Sequence, residues 1–127
     1  MFRGILAGGL ALSAASLIMT GPAAYADLQA PYARAAAIVD ADGELNNGKN
    51  ILKTWRASTG RYCVMVDKHV TTSAAVIQIT PRAPRRLPFI AYRSPSATCH
   101  ETNTITVGVY DTSTGRLADG GFDLTIS

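Results

Sequence analysis

Cys99 stands immediately before His100, and a thiol beside an imidazole is the pairing from which cysteine nucleophiles are made. A working dyad converges from separate segments, whereas neighbours on a strand project to opposite faces, so this pair reads as a cysteine followed by an exposed histidine. His69 and His100 are the only histidines, and neither stands in a metal-ligand spacing; no CxxC or HxxxH occurs. Asp40, Asp42 and Glu44, in DADGE, put three carboxylates within one short run, a density of oxygen ligands that suits calcium. The later bidentate glutamate of an EF-hand loop is missing, so the run reads as an acidic turn. No G-x-S-x-G, P-loop or dinucleotide fingerprint is present. These residues predict no enzyme, no metal and no cofactor, and they leave binding as the function to be explained.

The binding candidate is TPRAPRRLPFIAYR, residues 80–93. Pro81, Pro84 and Pro88 lack a backbone donor and exclude a central strand, and each biases the residue before it toward extended geometry. Between Asp67 and Glu101 there is no carboxylate, while Lys68, Arg82, Arg85, Arg86 and Arg93 are all basic. The segment therefore predicts a stiff extended loop whose arginines are solvated or matched by a partner. Leu87, Phe89 and Tyr92 add apolar and aromatic surface, and arginine with aromatic groups is the composition of interface hot spots. Edge protection by proline and arginine is the competing explanation; three arginines in five residues exceed what it needs.

The elements that position these residues are short. The chain opens MFRGILAGGLALSAASLIMTGPAAYA, with one basic residue, an apolar run too short to span a bilayer, and Ala24 and Ala26 in an A-x-A cleavage pattern. Residues 1–26 are predicted to be a cleaved signal peptide, making the protein secreted. With Arg3 gone, eleven Lys and Arg face nine Asp and Glu, a net charge of +2 that excludes a general affinity for nucleic acid. Two cysteines in an exported chain predict one disulfide, Cys63–Cys99, closing a loop of about 37 residues and contributing roughly 3 to 4 kcal/mol.

Residues 27–34, DLQAPYAR, predict an extended N-terminal arm. From 35 to 127 the pattern is strands: AAAIV, a turn at DADG, a second turn cluster at Asn47-Gly48, a hairpin of NILKTWRA and RYCVMV around Ser58-Thr59-Gly60, then SAAVIQIT, TNTITVGVYD and GFDLTIS. Ile51 and Trp55 are expected to share the core face, with Tyr62, Val64 and Val66 facing inward from the next strand. Without a sustained helical period, about six to seven strands predict an all-β fold, a small antiparallel β-sandwich with one disulfide.

YARAAAIVDADGELNNGKNILKTWRASTGRYCVMV, followed by GRLADGGFDLTI, resembles a group of small exported β-sandwich proteins of filamentous soil bacteria. Within it the chain looks like the adaptor subunit of secreted umbrella toxin particles. The resemblance implies a non-enzymatic adaptor joining a large toxin-bearing repeat protein to a lectin-like subunit built on a trypsin-like domain. Residues 27–34, with Tyr32 and Arg34, would then engage the repeat protein. Arg82, Arg85, Arg86, Leu87, Phe89 and Tyr92 would engage the trypsin-like partner. Two alternatives use the same loop: a protease inhibitor, or a binder of an anionic cell-surface polymer whose affinity fades steeply with salt.

Overall fold

The computed structural model describes residues 28–127, so the predicted leader at 1–26 and Asp27 lie outside the described residues. Among the described residues eight strands form two antiparallel sheets: β1 (Ala35–Val39), β2 (Leu45–Lys49), β3 (Ile51–Ser58), β4 (Arg61–Val66), β5 (Ile77–Pro81), β6 (Arg86–Tyr92), β7 (Thr104–Asp111) and β8 (Phe122–Ile126). The first sheet has the order β2-β1-β8-β5 and the second β3-β4-β7-β6. Among the described residues no helix is long and apolar enough to cross a membrane.

The core is the set of alternating residues that period-2 patterning selects. Ala35, Ala37 and Val39 of β1 and Phe122, Leu124 and Ile126 of β8 face Tyr62, Val64 and Val66 of β4 and Ile105, Val107 and Val109 of β7. Tyr62 meets Phe122 edge to face at 5.5 Å, joining the two layers. Its hydroxyl donates to Ala41 O (2.7 Å) and accepts from Gly120 N (3.0 Å), fastening two turns at one end of the sandwich. Burial pushes the Tyr62 phenol up, which keeps it a donor.

The strand count exceeds the sequence expectation because ELNNGKN is a strand and not a turn. Asn47 and Gly48 pair with Ile38 and Ala37, satisfying the outer side of β1, and the chain reverses instead at Asn50, whose φ is 57°. Trp55 also departs from its predicted place. A β-bulge between Ile51 and Lys53 inserts one residue, so Thr54 takes the inward phase opposite Val64 and Trp55 turns outward opposite Cys63. There Lys53 Nζ lies 4.9 Å from the indole centre and pairs with Glu101 at 3.3 Å.

Cys63 and Cys99 form the predicted disulfide, both fully buried although Cys63 points away from the core. The cover is the irregular segment 93–103. Within it Ser96 Oγ lies 2.8 Å from Thr106 Oγ1 and accepts from Cys99 N at 3.1 Å. Cys99 and His100 thus sit in a loop, not on a strand, and the histidine is exposed.

Asp119 holds the hairpin end. Its carboxylate accepts from Arg56 Nε at 2.9 Å and from Gly60 N at 2.8 Å. Burial raises its pKa, but these hydrogen bonds outweigh that and hold it below the usual carboxylate range. Asp111 is likewise lowered, chiefly by Ser113 N and also by Arg86. Both carboxylates bind protons more weakly folded than unfolded. Their contribution to stability is therefore complete above the unfolded value of about 3.9 and is lost as pH falls through the folded values. Tm is expected to be flat from about pH 7 to 5 and to fall below about pH 4, and Asp119→Asn is expected to make that fall shallower.

Candidate functional site

The 80–93 segment is not the extended loop that its prolines and arginines predict. It closes β5, crosses in a turn at 82–85, and continues as β6, running from the edge of one sheet to the edge of the other. Pro81 and Pro88 sit in these two edge strands, where a missing N–H costs no ladder bond.

Its arginines are mostly spoken for. Arg82 donates to Asp123 Oδ1 at 2.8 Å. Arg86 Nε donates to Asp119 O at 2.7 Å while its Nη1 lies 3.1 Å from Asp111 Oδ2. Arg93 donates to Ala75 O. The carboxylates come from β7 and β8, 41 positions away in the case of Arg82, and the connection between those strands adds the Asp119 carbonyl, which is why charge counting along the segment did not find them. Arg85 differs: its carbonyl accepts from Thr112 N at 2.9 Å, but among the described residues its side chain makes no hydrogen bond or ion pair, and its φ is 59°.

The apolar members of the segment do converge. Leu87 and Phe89 lie on the outer face of the second sheet, opposite Tyr110 and Gly108. Simple alternation would place Tyr92 on the other face from Phe89. A bulge between Ile90 and Tyr92 adds a residue and brings Tyr92 opposite Thr106, on the same outer face. Phe89 stacks on Tyr110 with ring centres 4.8 Å apart and planes at 11°. Gly108 permits this, because a Cβ there would fall 2.4 Å from the Phe89 ring. Tyr110 went unnoticed in the sequence; its signal is an aromatic out of phase with Val107 and Val109.

Leu87, Tyr92 and Tyr110 are 53%, 57% and 38% exposed, a concentration of large apolar side chains on one face. Arg61 joins them, opposite Gly108 and in the same row as Phe89. The segment 93–103, cross-linked to β4 by the disulfide, borders the patch.

Tyr32 and Arg34 are not part of this face. The arm turns at 31–32 and does not extend: Lys49 Nζ donates to Ala30 O (3.1 Å), Asn50 Nδ2 to Arg34 O (2.7 Å), and Arg34 N to Ile126 O (2.7 Å). These bonds fasten it to the first sheet, at the end remote from the 82–85 turn. Residues 28–30 border a groove of about 350 Å³ with Ala36, Ile38, Asn47 and Thr125. Tyr32 is 96% exposed.

The acidic run behaves as a turn, with Asp42 Oδ1 accepting from Glu44 N and Asp40 Oδ1 from Asn46 Nδ2. Among the described residues no group of three or more His, Cys, Asp or Glu is placed to hold a metal ion. What the geometry offers is an exposed apolar and aromatic surface, suited to recognition. Fold and face together define a disulfide-stapled antiparallel β-sandwich with an exposed aromatic sheet face. Compared with protein-family models, with curated proteins and with solved structures, the chain matches none.

Proposed function

We propose that the chain is a secreted, non-enzymatic adaptor that docks a partner subunit on the outer face of its second sheet. In this reading it links subunits of an extracellular antibacterial toxin particle, a repeat-bearing toxin protein and a trypsin-like lectin subunit. The observation that carries the binding role is the cluster of Leu87, Phe89, Tyr92 and Tyr110 on one outward sheet face. Exposed aromatic side chains on a pre-ordered surface lose little entropy on docking. The particle role draws on the resemblance of residues 32–66 and 115–126. A second surface, the fastened arm with its exposed Tyr32, supports a linking role because it lies at the opposite end and on the opposite sheet.

The inhibitor alternative draws no support from the loop. A substrate-like inhibitor offers its arginine on extended backbone, whereas Arg85 is in the left-handed region and Arg82 and Arg86 are paired within the molecule.

Affinity purification of the secreted protein from culture supernatant, with mass spectrometry, tests the proposal. Two further secreted proteins are expected to co-purify, and Leu87→Ser/Tyr110→Ser is expected to lose one and keep the other. Recovery of the wild type only as a free monomer overturns the adaptor role.

A further inference from the structure

We infer that the second-sheet face takes an acidic, extended segment of its partner, with Arg85 as the anchoring cation; this rests on the docking role proposed above. Arg85 follows Pro84 in the turn and has a φ of 59°, in the left-handed region. Glycine or asparagine fits there without strain; a long side chain does not. The strained arginine is also exposed and forms no ion pair among the described residues: Arg86 makes the direct contact with the neighbouring Asp111, on which Arg85 acts only as a weaker charge. An exposed arginine kept against its backbone preference, with no direct partner among the described residues, points to a partner outside.

The charge around it agrees. Arg61, on the same face as Phe89, also makes no ion pair. No aspartate or glutamate occupies an outward strand position of the second sheet; Asp111, at the end of β7, is in the inward phase beside Arg86. Arg85 precedes Leu87 by two residues at the start of β6 and Arg61 lies in the row of Phe89, so Leu87 and Phe89 separate the two arginines in the register of the sheet. A chain alternating carboxylates with apolar side chains complements this arrangement: its apolar residues cover Leu87, Tyr92 and Tyr110 and its carboxylates meet Arg85 and Arg61. The apolar contacts supply most of the affinity and the charges select the partner.

Random peptides displayed on phage, selected on the wild-type protein and counter-selected on Leu87→Ser/Tyr110→Ser, give the test. The survivors are expected to carry net negative charge with interspersed apolar residues. Their binding is expected to weaken about tenfold or more on Arg85→Gly. Tm of that variant should be unchanged or raised, because glycine suits the turn. Face-dependent peptides without net negative charge overturn the acidic class and leave the docking surface standing. Failure to enrich any face-dependent peptide overturns the docking surface itself. Dextran sulfate binding that depends on Arg85 but is indifferent to Leu87→Ser/Tyr110→Ser would overturn the inference in favour of an anionic polymer. A fall in Tm with Arg85→Gly would make the arginine structural and equally overturn it.

Discussion

A Cys63→Ala/Cys99→Ala variant is expected to lose about 3 to 4 kcal/mol of stability, read as a drop in Tm of roughly 15 to 25 °C for a domain of this size. The disulfide closes a loop that takes in β5, β6 and the turn between them, so its removal frees the unfolded chain over the segment that carries most of the docking residues. Domains of about 100 residues keep only about 5 to 15 kcal/mol in total, so this loss is a large share. Alanine is the informative replacement, since serine would leave hydroxyls at two fully buried positions. The loss should also reach function. The disulfide pins segment 93–103 over Thr104 and Thr106, both fully buried, and Tyr92 sits beside that cover. Partner binding by the double variant is expected to fall even at temperatures where it remains folded. An unchanged Tm would mean that the loop is ordered equally well without its cross-link.

Gly43→Ala is expected to cost about 3 kcal/mol or more in urea unfolding, by two separable effects. The residue has φ of 92°, where a Cβ costs about 1 to 2 kcal/mol. The added Cβ would also fall 2.4 Å from Arg56 N and 2.9 Å from the Trp55 carbonyl carbon, and backbone cannot swing aside as a side-chain end can. At this contact the β1–β2 turn lies against the edge of β3, and Thr54 Oγ1 donates to Gly43 O at 2.7 Å. Gly115→Ala is the control: φ there is 73° but nothing lies within 4 Å of the added carbon, so only the conformational cost of about 1 to 2 kcal/mol should appear. Equal losses in the two variants would mean that the β1–β2 turn is not packed against β3.

The arginines changed meaning once their partners were visible. Replacing Arg82, Arg85 and Arg86 together would confound binding with stability, because Arg86 joins Asp111 to the backbone at Asp119. Arg85 alone separates the two.

Local chemistry was enough for several features. Ile105, Val107 and Val109, and again Phe122, Leu124 and Ile126, alternate strictly, and a strand buries one face wherever the alternation is unbroken. The hairpin at Gly60, with φ of 68°, and the turn at Gly115 were legible because positive φ selects glycine. The prolines excluded a central strand from residues 80–93, though not the two edge strands found there, and an even cysteine count paired Cys63 with Cys99.

Tertiary structure alone decided which aromatic side chains reach solvent and which charges are free. Trp55 and Tyr92 each lie beyond a bulge, and one inserted residue reverses the face of everything after it, an effect that depends on the neighbouring strand and leaves no mark in the alternation. Arg82 and Arg86 find their partners 41 and 33 positions away, on strands and turns brought beside them only by the packing of two sheets. Composition marked residues 80–93 as basic and aromatic; the packing and register of the sheets put them on two edges, made the aromatic half a surface and left Arg85 without a direct ion pair.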